Sequence, residues 1–172
     1  IDDGVCSPSA TMSVNVSPRQ LSDTNFPAIV SEALTRSGVS PQLLWLEVTE
    51  SIMISEPELA LATLRRLRSL GVRVALDDFG TGYSSLSLLQ KFPLQRIKID
   101  RAFVHGVADN PNDRSLVRTI IAMGRSLGLD MVAEGVESVH QLQVLSDLGC
   151  NKAQGYLISH PVPPDAMRST VA

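Results

Sequence analysis

LDDFGTGY, residues 76–83, follows a short apolar run at residues 72–76. The run predicts a strand that is buried on at least one face. Two adjacent carboxylates, Asp77 and Asp78, then open a loop whose glycines allow a sharp bend or a close approach to a ligand. Carboxylates at the exit of a buried strand are costly unless compensated, and a hard cation such as Mg²⁺ compensates them because it prefers oxygen ligands. Taken alone, the stretch is more typical of an aspartate helix cap with a glycine turn, so the interpretation depends on the rest of the chain.

The composition narrows the class of protein. The 172 residues carry a net charge of −3 and are 44% hydrophobic, which favours one globular domain and excludes a basic surface for long nucleic acid. Cys6 and Cys150 lie far apart and outside any metal-ligand spacing, so we expect reduced thiols in a cytoplasmic protein. No apolar run is long enough to cross a membrane, so we expect no membrane contact by this domain. An upstream anchor in a longer protein is left open.

Strand and helix patterns alternate along the chain. Strands are predicted at residues 11–16, 43–49, 72–77, 96–100, 130–134 and 152–157, and helices at 27–36, 56–70, 84–91, 113–127 and 138–148. Strict alternation predicts a parallel sheet, and about 29 residues per unit is close to the roughly 31 of an eightfold barrel. An open doubly wound sheet stays possible, although no G-x-G-x-x-G follows the first strand.

The predicted fold is therefore α/β, a TIM-type (β/α)8 barrel that is incomplete, with about six of its eight strands. The chain starts at Ile1 rather than at methionine, inside what reads as a connecting segment. We expect residues 1–172 to form one domain whose first two units precede Ile1 in a longer protein.

Position parity separates the two faces of the predicted sheet, because side chains alternate across a strand. One face is apolar in every strand, and the other becomes polar towards the carboxyl end. The polar parity includes one residue from each of the first five strands: Asn15, Glu47, Asp77, Lys98 and Glu134. A parallel barrel gathers these ends at one mouth, where the active sites of barrel enzymes lie. Packing alone does not explain five such residues, because buried unpaired charges are costly.

Three carboxylates and one amide form an all-oxygen ligand set that suits Mg²⁺ or Mn²⁺ better than zinc. Asp77 is placed to bridge two ions, and Asp78 to serve the second. Paired hard cations are the usual apparatus for in-line attack on a phosphodiester. Lys98 fits as a cation near the attacking water or the phosphate, and Glu134 as a proton acceptor or a ligand of the second ion. A Schiff-base role for Lys98 is the competing barrel chemistry, but it does not need the carboxylates.

Six stretches carry a resemblance to a known family: SVNVSPRQL (13–21), LEVTES (46–51), LDDFGTGYSSLSLL (76–89), IKIDRAFV (97–104), VAEGVES (132–138) and QGYLIS (154–159). Through them the chain resembles, over almost its whole length, the EAL domain of cyclic di-GMP phosphodiesterases. The resemblance implies a TIM-type barrel with one antiparallel strand. It also implies hydrolysis of cyclic di-GMP to linear pGpG with two Mg²⁺ or Mn²⁺ ions. We further expect a homodimer and an upstream sensory or GGDEF domain in the longer protein.

The family's functional residues carry over onto matching positions of this chain. The resemblance implies that metal ligands are provided by Asn15, Glu47, Asp77 and Asp78. It implies that the nucleophilic water lies between Lys98 and Glu134. Glu50 resembles the glutamate that braces the glycine loop near the dimer interface. The resemblance also implies three residues that either lie behind the metal ligands or contact the substrate: Asp100, Glu137 and Gln154.

One departure from the family concerns the Glu-Ala-Leu that gives it its name. Its glutamate, a metal ligand, should lie on a strand before residue 13, and that strand is absent from the chain. Glu32-Ala33-Leu34 is not its counterpart, because it falls in the predicted helix 27–36 with Glu32 off the apolar stripe. We therefore expect the longer protein to be a phosphodiesterase, whereas activity of the 172-residue chain stays open. The alternative is a catalytically degenerate domain that binds cyclic di-GMP as a sensor.

Overall fold

The computed structural model describes residues 10–80, 86–150 and 152–163. Its strands are β1 Met12–Asn15, β2 Leu44–Thr49, β3 Arg73–Phe79, β4 Arg96–Ile99, β5 Asp130–Ala133 and β6 Lys152–Ala153. Its α-helices are α1 Pro18–Leu21, α2 Phe26–Ser37, α3 Glu50–Ser55, α4 Pro57–Ser69, α5 Leu86–Lys91, α6 Arg101–His105, α7 Pro111–Ser126 and α8 Val139–Asp147. A 3₁₀ turn occupies Pro41–Leu43. Within these ranges no helix combines the length and apolar character needed to cross a bilayer.

All six strands form one sheet in the order β1-β2-β3-β4-β5-β6, and every neighbouring pair is parallel. Each strand reaches its parallel neighbour through a helical crossover, as a parallel sheet requires. The sheet and its helices form an incomplete α/β barrel, which confirms the fold class predicted from the alternation. The antiparallel strand implied by the family resemblance is not among the six described strands.

The apolar core lies between the sheet and the helices. Strand residues Val74, Leu76, Ile97 and Ile99 are fully buried, and the predicted stripe of α4 is buried with them. The buried helix residues of this cluster include Ala60, Leu64 and Leu67 of α4, Val117, Ile120 and Ile121 of α7, and Leu145 of α8. Full burial of one such Leu, Ile or Val side chain stabilises the fold by about 1.5–3 kcal/mol. This packing leaves the other face of the strands for the polar residues.

The structure differs from the sequence prediction at several short elements. The helices α1, α3 and α6 were not predicted. Two of them begin at a capping side chain: Ser17 Oγ accepts from Gln20 N, and Asp100 Oδ1 accepts from Ala102 N. The last strand ends at Ala153 instead of residue 157, since residues 155–158 form a turn. Strand β3 runs two residues further than predicted, to Phe79, and this extension shapes the candidate site.

Candidate active site

Four of the predicted polar residues meet at the carboxyl ends of β2 to β5. The ammonium nitrogen Nζ of Lys98 lies 2.7 Å from Glu47 Oε2, 2.9 Å from Asp77 Oδ1 and 2.7 Å from Glu134 Oε1. These side chains are between 7% and 17% exposed. Glu134 directly follows β5, and its backbone N–H donates to the carbonyl of Ile99. The parallel order of the strands therefore brings together residues that are up to 87 positions apart in the chain.

The charges of this cluster do not balance internally. Three carboxylates surround one ammonium, so two negative charges are in excess when all four groups are ionised. Burial alone would lower the pKa of Lys98, but its hydrogen bonds to Glu134, Glu47 and Asp77 outweigh this and raise the pKa above the usual lysine range. Lys98 therefore stays positively charged at neutral pH. Burial raises the pKa of Glu134; the Lys98 ammonium opposes this, and the charges of Asp77 and Glu47 reinforce it.

A bulge in β3 directs two adjacent aspartates towards the same place. Successive side chains of a regular strand point to opposite faces. Here the pairing with β4 shifts between Leu76 and Phe79, and Asp78 has a left-handed backbone with φ of 51°. Aspartate is one of the few residues besides glycine that adopts this conformation without a large penalty. The bulge lets Asp77 and Asp78 serve one site, whereas the sequence pattern predicts Asp78 at the start of a loop.

The resulting donor set fits a hard divalent cation. Carboxylate oxygens of Asp77, Asp78 and Glu134 all lie within 4.8 Å of one another. Mg²⁺ and Mn²⁺ prefer oxygen ligands, and this set consists of carboxylate oxygens without a thiolate or an imidazole. Glu47 adjoins these three through its contact with Lys98. The excess negative charge of the cluster adds to its attraction for a cation.

Asp78 connects this cluster to Asp100. The pKa of Asp78 is raised by partial burial, by the charge of Asp77 and by a hydrogen bond and charge interaction with Asp100, while Lys98 opposes the shift. Asp100 is itself held in place because its Oδ1 accepts from Ala102 N at 2.8 Å at the start of α6. The two aspartates therefore lie together at the rim, beside the carboxylates of Asp77 and Glu134.

A cavity of about 260 Å³ opens next to the carboxylates. Its side-chain lining includes Asp78, Asp100, Arg101, Glu134, Glu137, Gln154 and Tyr156. The three positions assigned to substrate contact by resemblance thus line one space. Arg101 and Tyr156 were not predicted, although each lies in a connection after a strand, where barrel enzymes bind their substrates. The Tyr156 ring is exposed and stacks on His160 with 4.2 Å between ring centroids.

A model of the EAL domain family matches residues 3–161 of this chain. The chain belongs to the EAL domain family. This EAL chain is 47% identical over 156 residues to a signaling protein of Caulobacter vibrioides, covering 91% of the chain and 19% of that relative. It is 41% identical over 161 residues to MucR of Pseudomonas aeruginosa, named as a bifunctional diguanylate cyclase/cyclic di-GMP phosphodiesterase, covering 94% of the chain and 24% of MucR. The chain thus spans about a fifth to a quarter of the length of these relatives.

Solved structures agree with the family assignment. The structure of the MucR phosphodiesterase in complex with c-di-GMP superposes with a TM-score of 0.87 at 41% identity, covering 91% of this chain and 64% of that one. Klebsiella pneumoniae BlrP1, in a complex with manganese and cyclic di-GMP, superposes with a TM-score of 0.82 at 32% identity, covering 88% of this chain and 39% of that one.

Two predicted site residues of the EAL domain stand apart from the cluster. Asn15 pairs with Glu47 in the sheet register, so it lies on the correct face, but it is exposed on the edge strand. Among the described residues its side chain makes no hydrogen bond to the carboxylates. Glu50 opens α3 and is only 4% exposed. The loop it was predicted to brace includes residues 81–85, which lie outside the described residues. Glu32 is exposed on α2, as expected for a residue that is not a ligand.

A second cavity of the EAL domain, of about 330 Å³, lies between β1 and α2. It is lined mainly by apolar side chains such as Val14, Phe26, Val30 and Leu46. No titratable side chain is among its described lining residues, so these residues offer no acid–base group, although Asn15, a predicted metal ligand, is one of them.

Proposed function

We propose that this EAL domain hydrolyses cyclic di-GMP to linear pGpG with two Mg²⁺ or Mn²⁺ ions. The observation that carries the proposal is the convergence of Asp77, Asp78 and Glu134 oxygens within 4.8 Å, beside the Lys98 ammonium and next to a cavity. The c-di-GMP complex of MucR and the manganese complex of BlrP1 support the ligand and the metal.

The metal-binding residues in this proposal are Asn15, Glu47, Asp77 and Asp78. Bound Mg²⁺ or Mn²⁺ supplies Lewis-acid polarisation of the phosphate and activation of the attacking water. Asp77 contacts the Lys98 ammonium and also lies near the oxygens of Asp78 and Glu134, so it is the residue that two cations would share. Asn15 completes the set from β1, at the level of Glu47. Glu50 is proposed to brace the glycine loop.

Lys98 and Glu134 are the proposed catalytic pair. Water attacks the phosphorus in line, the bond from phosphorus to the ribose 3′-oxygen breaks, and the released 3′-oxygen takes up a proton. Glu134 accepts the proton of the attacking water, and its raised pKa makes it a stronger base than an ordinary carboxylate. The permanently charged Lys98 stabilises the negative charge that grows on the phosphoryl oxygens in the transition state.

The cavity beside the carboxylates is the proposed site for one half of the dinucleotide. Asp100 and Glu137 offer acceptors that match the N–H donors of a guanine edge, and Gln154 offers both a donor and an acceptor. Carboxylates next to a phosphate site would repel the substrate unless cations lie between them, which accords with the metal-dependent chemistry proposed above.

The test is product formation by the purified full-length protein that contains this domain. Cyclic di-GMP is incubated with the protein and Mg²⁺ or Mn²⁺, and linear pGpG is separated by chromatography. We expect pGpG from the wild type, loss of about 10²–10⁴-fold in rate with Glu134→Gln, and full activity in the exposed control Glu58→Gln. Tight binding of cyclic di-GMP with no pGpG under either metal would instead identify a sensor domain.

We also propose that the domain acts as a homodimer within a longer signalling protein that carries an upstream sensory or GGDEF domain. Support for the longer protein comes from the relatives, of which this chain spans 19% and 24%, and from the bifunctional name of MucR. Sedimentation of the full-length protein with and without cyclic di-GMP tests the dimer, and a monomer under both conditions would contradict it.

A further inference from the structure

Gln141 is a buried polar side chain outside the proposed catalytic set. It lies in the first turn of α8 and is only 6% exposed. Its amide oxygen Oε1 accepts two hydrogen bonds, from Glu137 N at 2.8 Å and from Ser138 N at 3.0 Å. Its amide nitrogen Nε2 donates to the carbonyl oxygen of His105 at 3.0 Å. One side chain thus joins the connection between β5 and α8 to the end of α6, which lies 36 positions away in the chain.

Both of the segments that Gln141 joins line the cavity beside the carboxylates. The connection of residues 134–138 contributes Glu137 to that lining, and α6 contributes its first residue, Arg101. A further space of about 290 Å³ is lined by residues of both segments, which are Arg101, Ala102, His105, Gly135 and Glu137. Open space therefore lies between the two segments. The residues that Gln141 holds, Glu137 and His105, both border this space, so the Gln141 amide is a bridge beside it.

The start of the connection is fixed by backbone contacts that do not involve Gln141. Glu134 N donates to the Ile99 carbonyl at 3.1 Å. Val136 N donates to the Gln154 carbonyl at 3.0 Å. The next two backbone N–H groups along the chain are those that donate to the Gln141 amide. Gln141 therefore acts on the part of the connection that carries the cavity residue, whereas Glu134 is positioned by the sheet.

We propose that Gln141 is a positioning residue that fixes Glu137 relative to α6 and thereby shapes the cavity for the guanine end of the substrate. The proposal rests on the proposed function, in which Glu137 accepts hydrogen bonds from a guanine edge. Without the bridge, Glu137 shifts relative to α6 and no longer lies at hydrogen-bond distance from those donors. Because Glu134 is held separately, substrate binding weakens while the chemical step on bound substrate changes little.

Two substitutions of Gln141 separate the bridge from the helix cap. Gln141→Glu keeps oxygens that accept from the backbone N–H groups at the start of α8, where a carboxylate is favourable. It has no amide donor for the His105 carbonyl, so it caps the helix without bridging to α6. Gln141→Met neither caps nor bridges. Gln143→Glu makes the same charge change at an exposed position of α8 and is the matched control.

The measurement is the initial rate of pGpG formation by the full-length protein as a function of cyclic di-GMP concentration. We expect both Gln141 variants to raise KM about tenfold, the effect of losing one hydrogen bond to a charged acceptor. Their kcat should stay within about twofold of the wild-type value. Gln143→Glu should match the wild type in both constants.

A wild-type KM in Gln141→Glu would overturn the proposal, because a residue that only caps α8 is replaced by glutamate without loss. A fall in kcat as large as the rise in KM would also overturn it, because Gln141 would then act on the proposed base as well. If the wild type forms no pGpG, the proposed function fails, and hydrogen exchange measured by mass spectrometry decides the positioning. Faster exchange of residues 137–138 is then expected in both Gln141 variants than in Gln143→Glu, whereas wild-type exchange in Gln141→Glu overturns the proposal.

Discussion

Lys98 Nζ and Glu134 Oε1 lie 2.7 Å apart, although β4 and β5 are separated by the helices α6 and α7 in the chain. The contact joins the proposed base to the one buried cation found among its described neighbours. The same ammonium holds Glu47 and Asp77, so a single lysine sets the relative positions of three carboxylates. Both the stability of the strand ends and the geometry of the proposed metal site therefore depend on Lys98.

Removal of this cation should destabilise the metal-free protein. Lys98→Met leaves the buried carboxylate of Glu47 and the partly buried ones of Asp77 and Glu134 without compensation, which we expect to lower the free energy of unfolding by about 3 kcal/mol near pH 7. The pKa of Glu134, which burial and the charges of Asp77 and Glu47 raise, then loses the opposing effect of the Lys98 ammonium and rises further above the unfolded value. Part of the lost stability is consequently regained as the pH falls through that raised pKa.

Urea unfolding in the presence of a chelator, followed through the single tryptophan Trp45, measures this effect at pH 7.5 and pH 5. Lys91→Met on the exposed end of α5 is the matched control and should change stability little at either pH. Equal stability of Lys98→Met and the wild type at pH 7.5 would contradict the central place given to this lysine.

The left-handed backbone of Asp78 makes a prediction that separates strain from charge. Asp78→Asn and Asp78→Val both remove the carboxylate, but asparagine adopts a positive φ readily and a β-branched residue does not. We expect the valine variant to be less stable than the asparagine variant by about 1–2 kcal/mol. Differential scanning calorimetry of the two proteins measures the difference. Equal melting temperatures would contradict the prediction and would mean that residue 78 gives up its positive φ in the valine variant.

The buried thiol of Cys150 should be inert in the folded protein. It is 6% exposed, its sulfur lies 3.3 Å from the carbonyl oxygen of Lys152, and burial raises its pKa. In a Cys6→Ser variant, in which Cys150 is the single cysteine, we expect a thiol reagent to label one equivalent in urea and none in native buffer. Rapid labelling of the native variant would show that the region opens.

The raised pKa of Cys150 also gives a pH dependence. A thiol whose folded-state pKa exceeds its unfolded value contributes stability that is complete below the unfolded pKa and is lost as the pH rises through the folded one. The decline in stability above about pH 8.5 should therefore be shallower in Cys150→Ala than in the wild type. Parallel declines would rule out the thiol as its source.

The sequence predicted much of the site because its main signals are local. Alternation along each strand assigned Glu47, Asp77, Lys98 and Glu134 to one face, and the parallel order then brought their carboxyl ends together. Both patterns are visible without knowledge of long-range contacts. The same reasoning places Asn15 on the face that carries Glu47. Its exposure depends on the position of β1 at the edge of the sheet, which the alternation along one strand does not show.

Other features could not be predicted because they depend on geometry beyond one element. The helices α1, α3 and α6 are four to six residues long, shorter than the window in which helical periodicity is recognisable. The bulge at Asp78 arises from the pairing of β3 with β4. The hydrogen bond from Gln141 to the His105 carbonyl joins α8 to α6, which are separated in the chain by α7 and β5. None of these relations appears in the spacing of residues along the chain.

The central claim is that the carboxylates gathered around Lys98 hold divalent cations. Anomalous diffraction from crystals soaked in Mn²⁺ tests this most directly, since it locates the metal without reference to activity. We predict anomalous density within about 2.3 Å of carboxylate oxygens of Asp77 and Asp78, and none there in the Asp77→Asn variant. Mn²⁺ absent from this cluster in wild-type crystals, at concentrations that occupy other surface sites, would contradict the account.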